Sequence, residues 1–139
     1  MNESRHFETA EMQCHCGCGE CDLDQRLLPA LEKLRALAGD VPIFVDCAYR
    51  CAQHNAEARG VSKSAHLQGR AADIRIAGKS LDEMFDLAEQ VEEFRDGGIG
   101  VYDTGFLHVD VRVFPARWAR VEGRYVGLKG SGLLKRWSP

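Results

Sequence analysis

Two short segments of the chain each combine a histidine with an aspartate. His66 and Asp73 lie seven residues apart, and His108 and Asp110 lie two residues apart. Two imidazoles and one carboxylate are the ligand types of a catalytic zinc ion, which keeps its fourth position for water. This set of residues therefore predicts a metal-dependent hydrolase.

Both aspartates lie in segments with the alternation of a β-strand. In 71–76 and in 107–113, apolar residues take every second position. Because alternate side chains of a strand share a face, each segment would turn its apolar residues to a core and its polar residues away from it. If the two strands share a sheet, Asp73, His108 and Asp110 converge, and His66 arrives from the loop before the first strand.

Two helices are predicted around these strands. Leucines at helical spacing indicate a helix over about Asp24–Ala38, with an Asp22–Gln25 pair resembling a capping box at its start. Ser80 and Glu83 form a second capping box, which opens another amphipathic helix. Each helix has one apolar stripe to bury, so both would flank the sheet.

The remaining strands complete the predicted fold. Pro42–Asp46 is a buried strand, Ile99–Tyr102 and Leu107–Val113 form a hairpin, and Arg120–Val126 adds an edge strand. Helices with partly hairpin-linked strands predict an α+β fold with a mostly antiparallel sheet. The 139 residues fit one domain. We divide it into a cysteine-rich segment (1–21), a core (22–119) and a C-terminal extension (120–139).

The order of these residues resembles that of the M15 zinc peptidases. The resemblance is greatest to the D-Ala-D-Ala carboxypeptidase and phage endolysin peptidase domains, which share a fold with the Hedgehog signalling domain. It covers roughly residues 7–119 and implies a zinc peptidase of Hedgehog-type fold. The two histidine motifs match over Ser64, His66, Gly69, Ala71 and Asp73 and over Phe106, His108, Asp110 and Arg112. The other matching residues are Phe7, the run Cys14-His15-Cys16-Gly17-Cys18-Gly19, Asp24, Leu27, Leu28, Tyr49-Arg50-Cys51, His54-Asn55, Gly98, Gly100, Tyr102 and Arg117-Trp118.

The resemblance implies His66, Asp73 and His108 as the metal ligands. The wider family often has an acidic residue three positions before its last histidine ligand, where this chain has glycine. We therefore expect Asp110 to be the general base, with Asp103 at the predicted hairpin as the second candidate. The alternatives for Asp110 are to ligate the metal itself or to accept a hydrogen bond from a liganding imidazole and fix its tautomer.

Three further residues are expected to contact substrate. Arg50 matches a family arginine that binds substrate or stabilises a developing oxyanion, and its alternative is a salt bridge with Asp46. Ser64 either contacts substrate through its hydroxyl or caps its loop. Tyr102 either lines the cleft or packs.

Six cysteines present a separate question. An even number suits a disulfide framework in an oxidising compartment. Four thiolates would instead suit a second, structural zinc ion beside the catalytic one. The tight spacing of the first group departs from the usual zinc knuckle, and both interpretations stay open for Cys14, Cys16, Cys18, Cys21, Cys47 and Cys51.

Composition narrows the range of partners. A hydrophobic share of 45% excludes a disordered chain, and a net charge of −3 argues against nucleic acid as a partner. No apolar run reaches membrane-spanning length. Residues 1–6 lack the apolar region of a secretory signal. We therefore expect a monomer made in the cytoplasm, and the resemblance implies action at the cell wall, as by a phage or prophage lysin.

Three classes of function follow. The first is a zinc peptidase that cuts peptidoglycan stem peptides or cross-links, as a carboxypeptidase or an endopeptidase. The second is a metal-containing wall-binding module of the same fold that does not catalyse. The third is a thiolate-rich metal or redox protein that depends on Cys14 and Cys16 rather than on His108. We favour the first.

Overall fold

A mixed sheet of six strands organises the described part of the chain. The structure is a computed structural model, and it describes residues 6–7, 12, 23–47 and 69–135. The strands lie in the order β1-β2-β4-β3-β5-β6, and only the β3–β5 pair is parallel. The predicted α+β class is confirmed. In chain order the elements are α1 (Leu27–Leu37), β1 (Ile43–Cys47), β2 (Ala71–Ile76), α2 (Leu81–Ala88), α3 (Glu92–Arg95), β3 (Gly98–Tyr102), β4 (Leu107–Asp110), β5 (Ala116–Val121) and β6 (Arg124–Val126).

The two faces of the sheet have different roles. One face packs against the helices in a single core, in which Ile74, Val101 and Val109 are fully buried with Leu31 and Phe85. Burying one such side chain contributes roughly 1.5–3 kcal/mol. The period of two then directs the intervening polar residues of β2 and β4 to the opposite face.

Helix α1 confirms the predicted helix but not its predicted start. Its N-cap residue is Arg26, which makes no side-chain capping bond. The helix therefore does not begin at the predicted Asp22–Gln25 pair, of which Asp22 lies outside the described residues. The Asp24 carboxylate accepts instead from the backbone N–H of Arg26 at 2.9 Å and from its guanidinium. Gly39, with φ of 95°, ends the helix as its sequence predicts. None of the helices in the described ranges is long and apolar enough to cross a membrane.

Helix α2 begins with the predicted capping box. The Ser80 hydroxyl accepts from the Glu83 N–H at 3.2 Å, and the Glu83 carboxylate accepts from the Ser80 N–H at 2.9 Å. The helix ends at Ala88, and Val91 is the N-cap of α3. Both helices therefore turn apolar residues to the sheet.

Replacing Ser80 by alanine is expected to lower the free energy of unfolding by about 1 kcal/mol, because one backbone N–H loses its partner. Urea denaturation followed by circular dichroism measures this change. Ser80→Asp is the matched control, since aspartate also accepts from the same N–H and should retain most of the stability. An equal loss in both variants would show that the cap is not the cause.

The strands after the predicted hairpin differ from expectation. The predicted β3–β4 hairpin forms, but β4 ends at Asp110 rather than at Val113. The single predicted edge strand over Arg120–Val126 is instead a second hairpin, in which Glu122 and Gly123 both have positive φ, at 51° and 77°. That pair of angles is typical of a two-residue turn between twisted strands. β5 lies inside the sheet beside β3, and β6 forms the edge.

The segment after residue 119 packs onto the rest of the domain. β5 continues across the boundary drawn there, and Leu128 and Leu134 are 8% and 2% exposed within the same core. Apolar contacts therefore hold the chain at least as far as Leu134.

Candidate metal and substrate site

Neighbouring strands bring Asp73, His108 and Asp110 together. Asp73 on β2 is the cross-strand partner of His108 on β4. His108 Nδ1 lies 3.0 Å from Asp73 Oδ1, and its Nε2 lies 2.8 Å from Asp110 Oδ2. The convergence predicted from the alternation of the two strands is confirmed. Arg70 and Arg75, the two arginines nearest to Asp73 in sequence, lie beside other carboxylates, those of Asp24 and Asp46 respectively.

The Asp110 carboxylate is fully buried and saturated with hydrogen bonds. Its Oδ1 accepts from the Gly98 N–H at 2.8 Å, the Arg112 N–H at 3.1 Å and Arg112 Nε at 2.9 Å. Its Oδ2 accepts from Arg112 Nη2 at 2.7 Å as well as from His108. Burial alone would raise the pKa of Asp110, but the bonds from His108 and Arg112 hold it well below its usual range.

This environment is unsuited to a general base. A base needs an oxygen that faces the water and a pKa close to the working pH. Asp110 has neither, because its roughly four acceptor positions are occupied. The geometry favours the alternative role, in which Asp110 holds the Nε2–H of His108 and leaves Nδ1 on the side of Asp73.

Two of the three predicted metal ligands fit a zinc ion. Two ligands of a tetrahedral zinc lie about 3.3 Å apart, and His108 Nδ1 and Asp73 Oδ1 are 3.0 Å apart. An imidazole nitrogen and a carboxylate oxygen are both ligand atoms that zinc takes. The third predicted ligand, His66, lies outside the described residues. Within the described ranges, no three His, Cys, Asp or Glu side chains are arranged to hold a metal.

Without metal, His108 is held in its charged form. Burial lowers the pKa of His108, but the hydrogen bonds with Asp110 and Asp73 outweigh this effect and raise it to about 9. Both carboxylates are acceptors, so both ring nitrogens of the metal-free protein carry protons. Binding of a metal to Nδ1 would release one of them.

The metal-free protein is therefore expected to lose stability between pH 6.5 and 9. The folded pKa of His108, about 9, lies above the ordinary value of 6.5. The contribution of His108 to the free energy of unfolding is thus complete below pH 6.5. It falls by up to about 3 kcal/mol as the pH rises through 9. Urea denaturation in the presence of a chelator measures it. In His108→Gln this dependence of the free energy of unfolding on pH should disappear. An unchanged dependence would mean that other groups cause it.

Two glycines of β3 leave room for the site. A Cβ at Gly98 would overlap the Asp110 carboxylate, and one at Gly100 would overlap the Trp118 indole. Trp118 packs against His108 with ring centroids 4.9 Å apart, and the Arg112 guanidinium lies 5.1 Å from the Trp118 ring. Sequence reasoning assigned no role to Arg112 or Trp118; the only sequence signal was their place in the matching motifs.

Asp103 lies away from His108. It follows β3 in the turn before β4, and its carboxylate accepts from the Glu122 N–H at 2.8 Å. The partner of His108 on β3 is Gly100, which is three residues or about 10 Å from Asp103 along the chain. This position supports the β5–β6 turn and is too distant for a base acting beside His108.

Tyr102 is half-buried beside the site. Its ring stacks on Phe106 with centroids 4.2 Å apart, and its hydroxyl accepts from Trp118 Nε1 at 3.4 Å. Burial is the largest cause that raises the pKa of Tyr102, so it remains a neutral phenol. Both predicted roles, packing and lining the cleft, are compatible with this position.

The other predicted site residues fall mostly outside the described ranges. Cys47 ends β1 opposite Asp73. Asp46, the alternative partner of Arg50, forms an ion pair with Arg75 at 2.8 Å. The residues that lie outside the described part are Arg50, Ser64, His66, Cys14, Cys16, Cys18, Cys21 and Cys51.

Comparison with known proteins identifies the family. Residues 5–110 match the family model described as peptidase M15. A probable peptidoglycan L,D-endopeptidase MepK of Haemophilus influenzae is 45% identical in an alignment of 74 residues that covers 49% of this chain. The match spans only 38% of that relative's length. The family match covers more than half of the chain and ends on the site aspartate Asp110, and on this ground the chain belongs to the peptidase M15 family.

Proposed function

We propose that this protein is a zinc-dependent peptidase that hydrolyses peptide bonds of peptidoglycan. The observation that carries the proposal is the His108 imidazole, held between a potential second ligand, Asp73, and a buried orienting carboxylate, Asp110. A carboxylate that holds the second ring nitrogen is the usual support of a metal-ligating histidine. The name of the Haemophilus relative supports peptidoglycan as the substrate class and an endopeptidase as the type.

The proposed zinc ligands are His66, Asp73 and His108. When bound, zinc lowers the pKa of a water to about 7 and polarises the scissile carbonyl. In this chain Asp110 keeps the Nε2 proton of His108 in place, so that Nδ1 presents its lone pair. Trp118 packs at a tilt against the same imidazole and limits its rotation. The sheet thus supplies a ligand of fixed tautomer and fixed direction.

The proposal also covers the fold, the place of action and the oligomeric state. We propose the Hedgehog-type fold for the whole domain, action at the cell wall on the peptide of peptidoglycan, and a monomeric state. A second zinc or a disulfide framework at the six cysteines stays a prediction.

A non-catalytic wall-binding module is the second candidate. One observation favours it: neither Asp110 nor Asp103 is placed to act as a base. Such a module would bind zinc and peptidoglycan without turnover. The two functions therefore differ in a single measurable property.

Digestion of purified muropeptides, read by mass spectrometry, tests the proposal. The zinc-loaded protein is expected to split a peptide bond, a chelator should abolish the cleavage, and added zinc should restore it. His108→Ala should lose cleavage by at least about 100-fold, because a ligand is removed.

His6→Ala is the matched control. His6 pairs with Glu32 on α1 at 2.6 Å. Because α1 packs in the core on the face of the sheet opposite to His108, the loss of His6 should leave cleavage intact. Intact muropeptides in the presence of one bound zinc would favour the non-catalytic module. Cleavage that persists in His108→Ala would refute the proposed site.

A further inference from the structure

An aromatic and cationic patch lies beside His108 on the same face of the sheet. We define it as Tyr102, Arg120 and Tyr125. Arg120 is the cross-strand partner both of Tyr102 on β3 and of Tyr125 on β6. These three residues form one row across the sheet. The parallel row, two residues away, contains His108, its partner Gly100 and the next partner, Trp118.

Contacts connect this patch to His108. Trp118 packs on His108 at 4.9 Å, and its Nε1 donates to the Tyr102 hydroxyl at 3.4 Å. The Tyr125 hydroxyl is near enough to contribute, after burial, to the raised pKa of Tyr102. The Arg120 guanidinium lies over the Tyr125 ring, 4.5 Å from its centroid. A continuous series of contacts thus runs from His108 to Arg120.

Arg120 differs from the other arginines on this face in the groups that surround its charge. Arg75 and Arg112 each form an ion pair, with Asp46 at 2.8 Å and Asp110 at 2.7 Å. No carboxylate of the described ranges lies within 4 Å of the Arg120 guanidinium, whose one aromatic partner is Tyr125. Tyr125 itself is 59% exposed. Stacking on a ring orients a guanidinium while its N–H donors stay available to a planar anion.

We propose that the Tyr102–Arg120–Tyr125 patch is a subsite for a carboxylate of the peptide substrate. The inference rests on the proposed function and adds to it where the substrate is held. Two strand spacings and two residues along the strand separate Arg120 from His108 by about 12 Å between Cα atoms. An extended peptide covers this distance with about three to four residues. The recognised carboxylate therefore lies about that far from the bond that is cut.

Two arginine variants on one hairpin test the proposal. Arg120→Gln removes the subsite charge. Arg124→Gln removes the same charge from the same hairpin, but Arg124 pairs with Val121 and so belongs to the alternate set of positions, which faces the other way. Both are assayed on two soluble muropeptides, one with free peptide carboxylates and one with those carboxylates amidated.

For the free-carboxylate substrate, Arg120→Gln is expected to raise KM about fivefold, with kcat changed less than about twofold. Arg124→Gln should leave both constants close to those of the wild type. The wild type should also prefer the free carboxylate to the amide by KM, and Arg120→Gln should lose this preference. Tyr125→Leu should weaken the same preference, because the guanidinium loses its support.

Equal effects of the two arginine variants would overturn the subsite in favour of a general field effect. Equal KM values of the wild type for the two substrates would overturn it as well. If the wild type cleaves neither substrate, the proposed function fails. Equilibrium binding of the same two muropeptides then tests the patch separately: a preference for the free carboxylate that Arg120→Gln abolishes supports the subsite, and equal binding refutes it.

Discussion

Replacing Asp110 by asparagine is expected to cost about 3–5 kcal/mol of the free energy of unfolding and to weaken zinc binding about 10- to 100-fold. The carboxylate is 0% exposed and faces two cations, His108 and Arg112. An amide cannot neutralise them. Its NH2 group would also point a donor at groups that are themselves donors, whichever way the side chain turns.

Two measurements on Asp110→Asn separate these effects. Urea denaturation of the metal-free protein reports the loss of stability. Competition with a chelating dye, carried out without urea, reports the zinc affinity. Asp96→Asn is the matched control, because Asp96 pairs with Arg95 on the surface, and exposed pairs contribute about 0–1 kcal/mol. Wild-type zinc affinity in Asp110→Asn would contradict the orienting role.

Replacing Gly98 by alanine is expected to lower the free energy of unfolding by about 3 kcal/mol or more. The added Cβ would overlap the carboxylate of Asp110, whose hydrogen bonds leave it nowhere to move. Overpacking of a core alone costs about 1–3 kcal/mol, and displacement of a buried, paired carboxylate adds to that cost. The expected loss of stability comes from the contact between the added Cβ and Asp110. It does not come from backbone strain, because Gly98 does not have a positive φ.

Gly127→Ala is the control for Gly98→Ala. No atom lies within 4 Å of a Cβ built at Gly127, so the stability should change by less than about 0.5 kcal/mol. Thermal and urea unfolding of both variants provide the comparison. Comparable stability of the two variants would mean that Asp110 can shift without losing its partners, and the rigid account of the site would then be wrong.

Local patterns were sufficient for several elements. The alternation of 71–76 predicted β2 at its observed bounds, and Ser80 with Glu83 predicted the capping box of α2. Both signals act within a few residues, so the sequence contains all of the information. The Asp22–Gln25 pair shows the limit of such signals, because Asp24 bonds to Arg26 and the helix begins later than that pair implies.

Strand β5 shows what a local pattern does not reveal. Its sequence, Ala116–Val121, contains two arginines and resembles an exposed segment. It lies inside the sheet because β3 and β6 pair with its two edges. Arg117 is accommodated there because its guanidinium donates to the carbonyl oxygens of Gly97 and Arg95. Strand pairing depends on partners distant in sequence, which composition does not identify.

By itself the sequence determined which residue types meet at the site, since the period of two directs Asp73, His108 and Asp110 to one face of neighbouring strands. Only the tertiary structure decided what each of them can do. Asp110 is an aspartate, a residue type that can act as a general base. In the folded protein, however, hydrogen bonds from Gly98, Arg112 and His108 occupy its oxygens and hold it ionised. The function of a carboxylate depends on its solvation and its partners, and these are set by residues that come together only when the sheet forms.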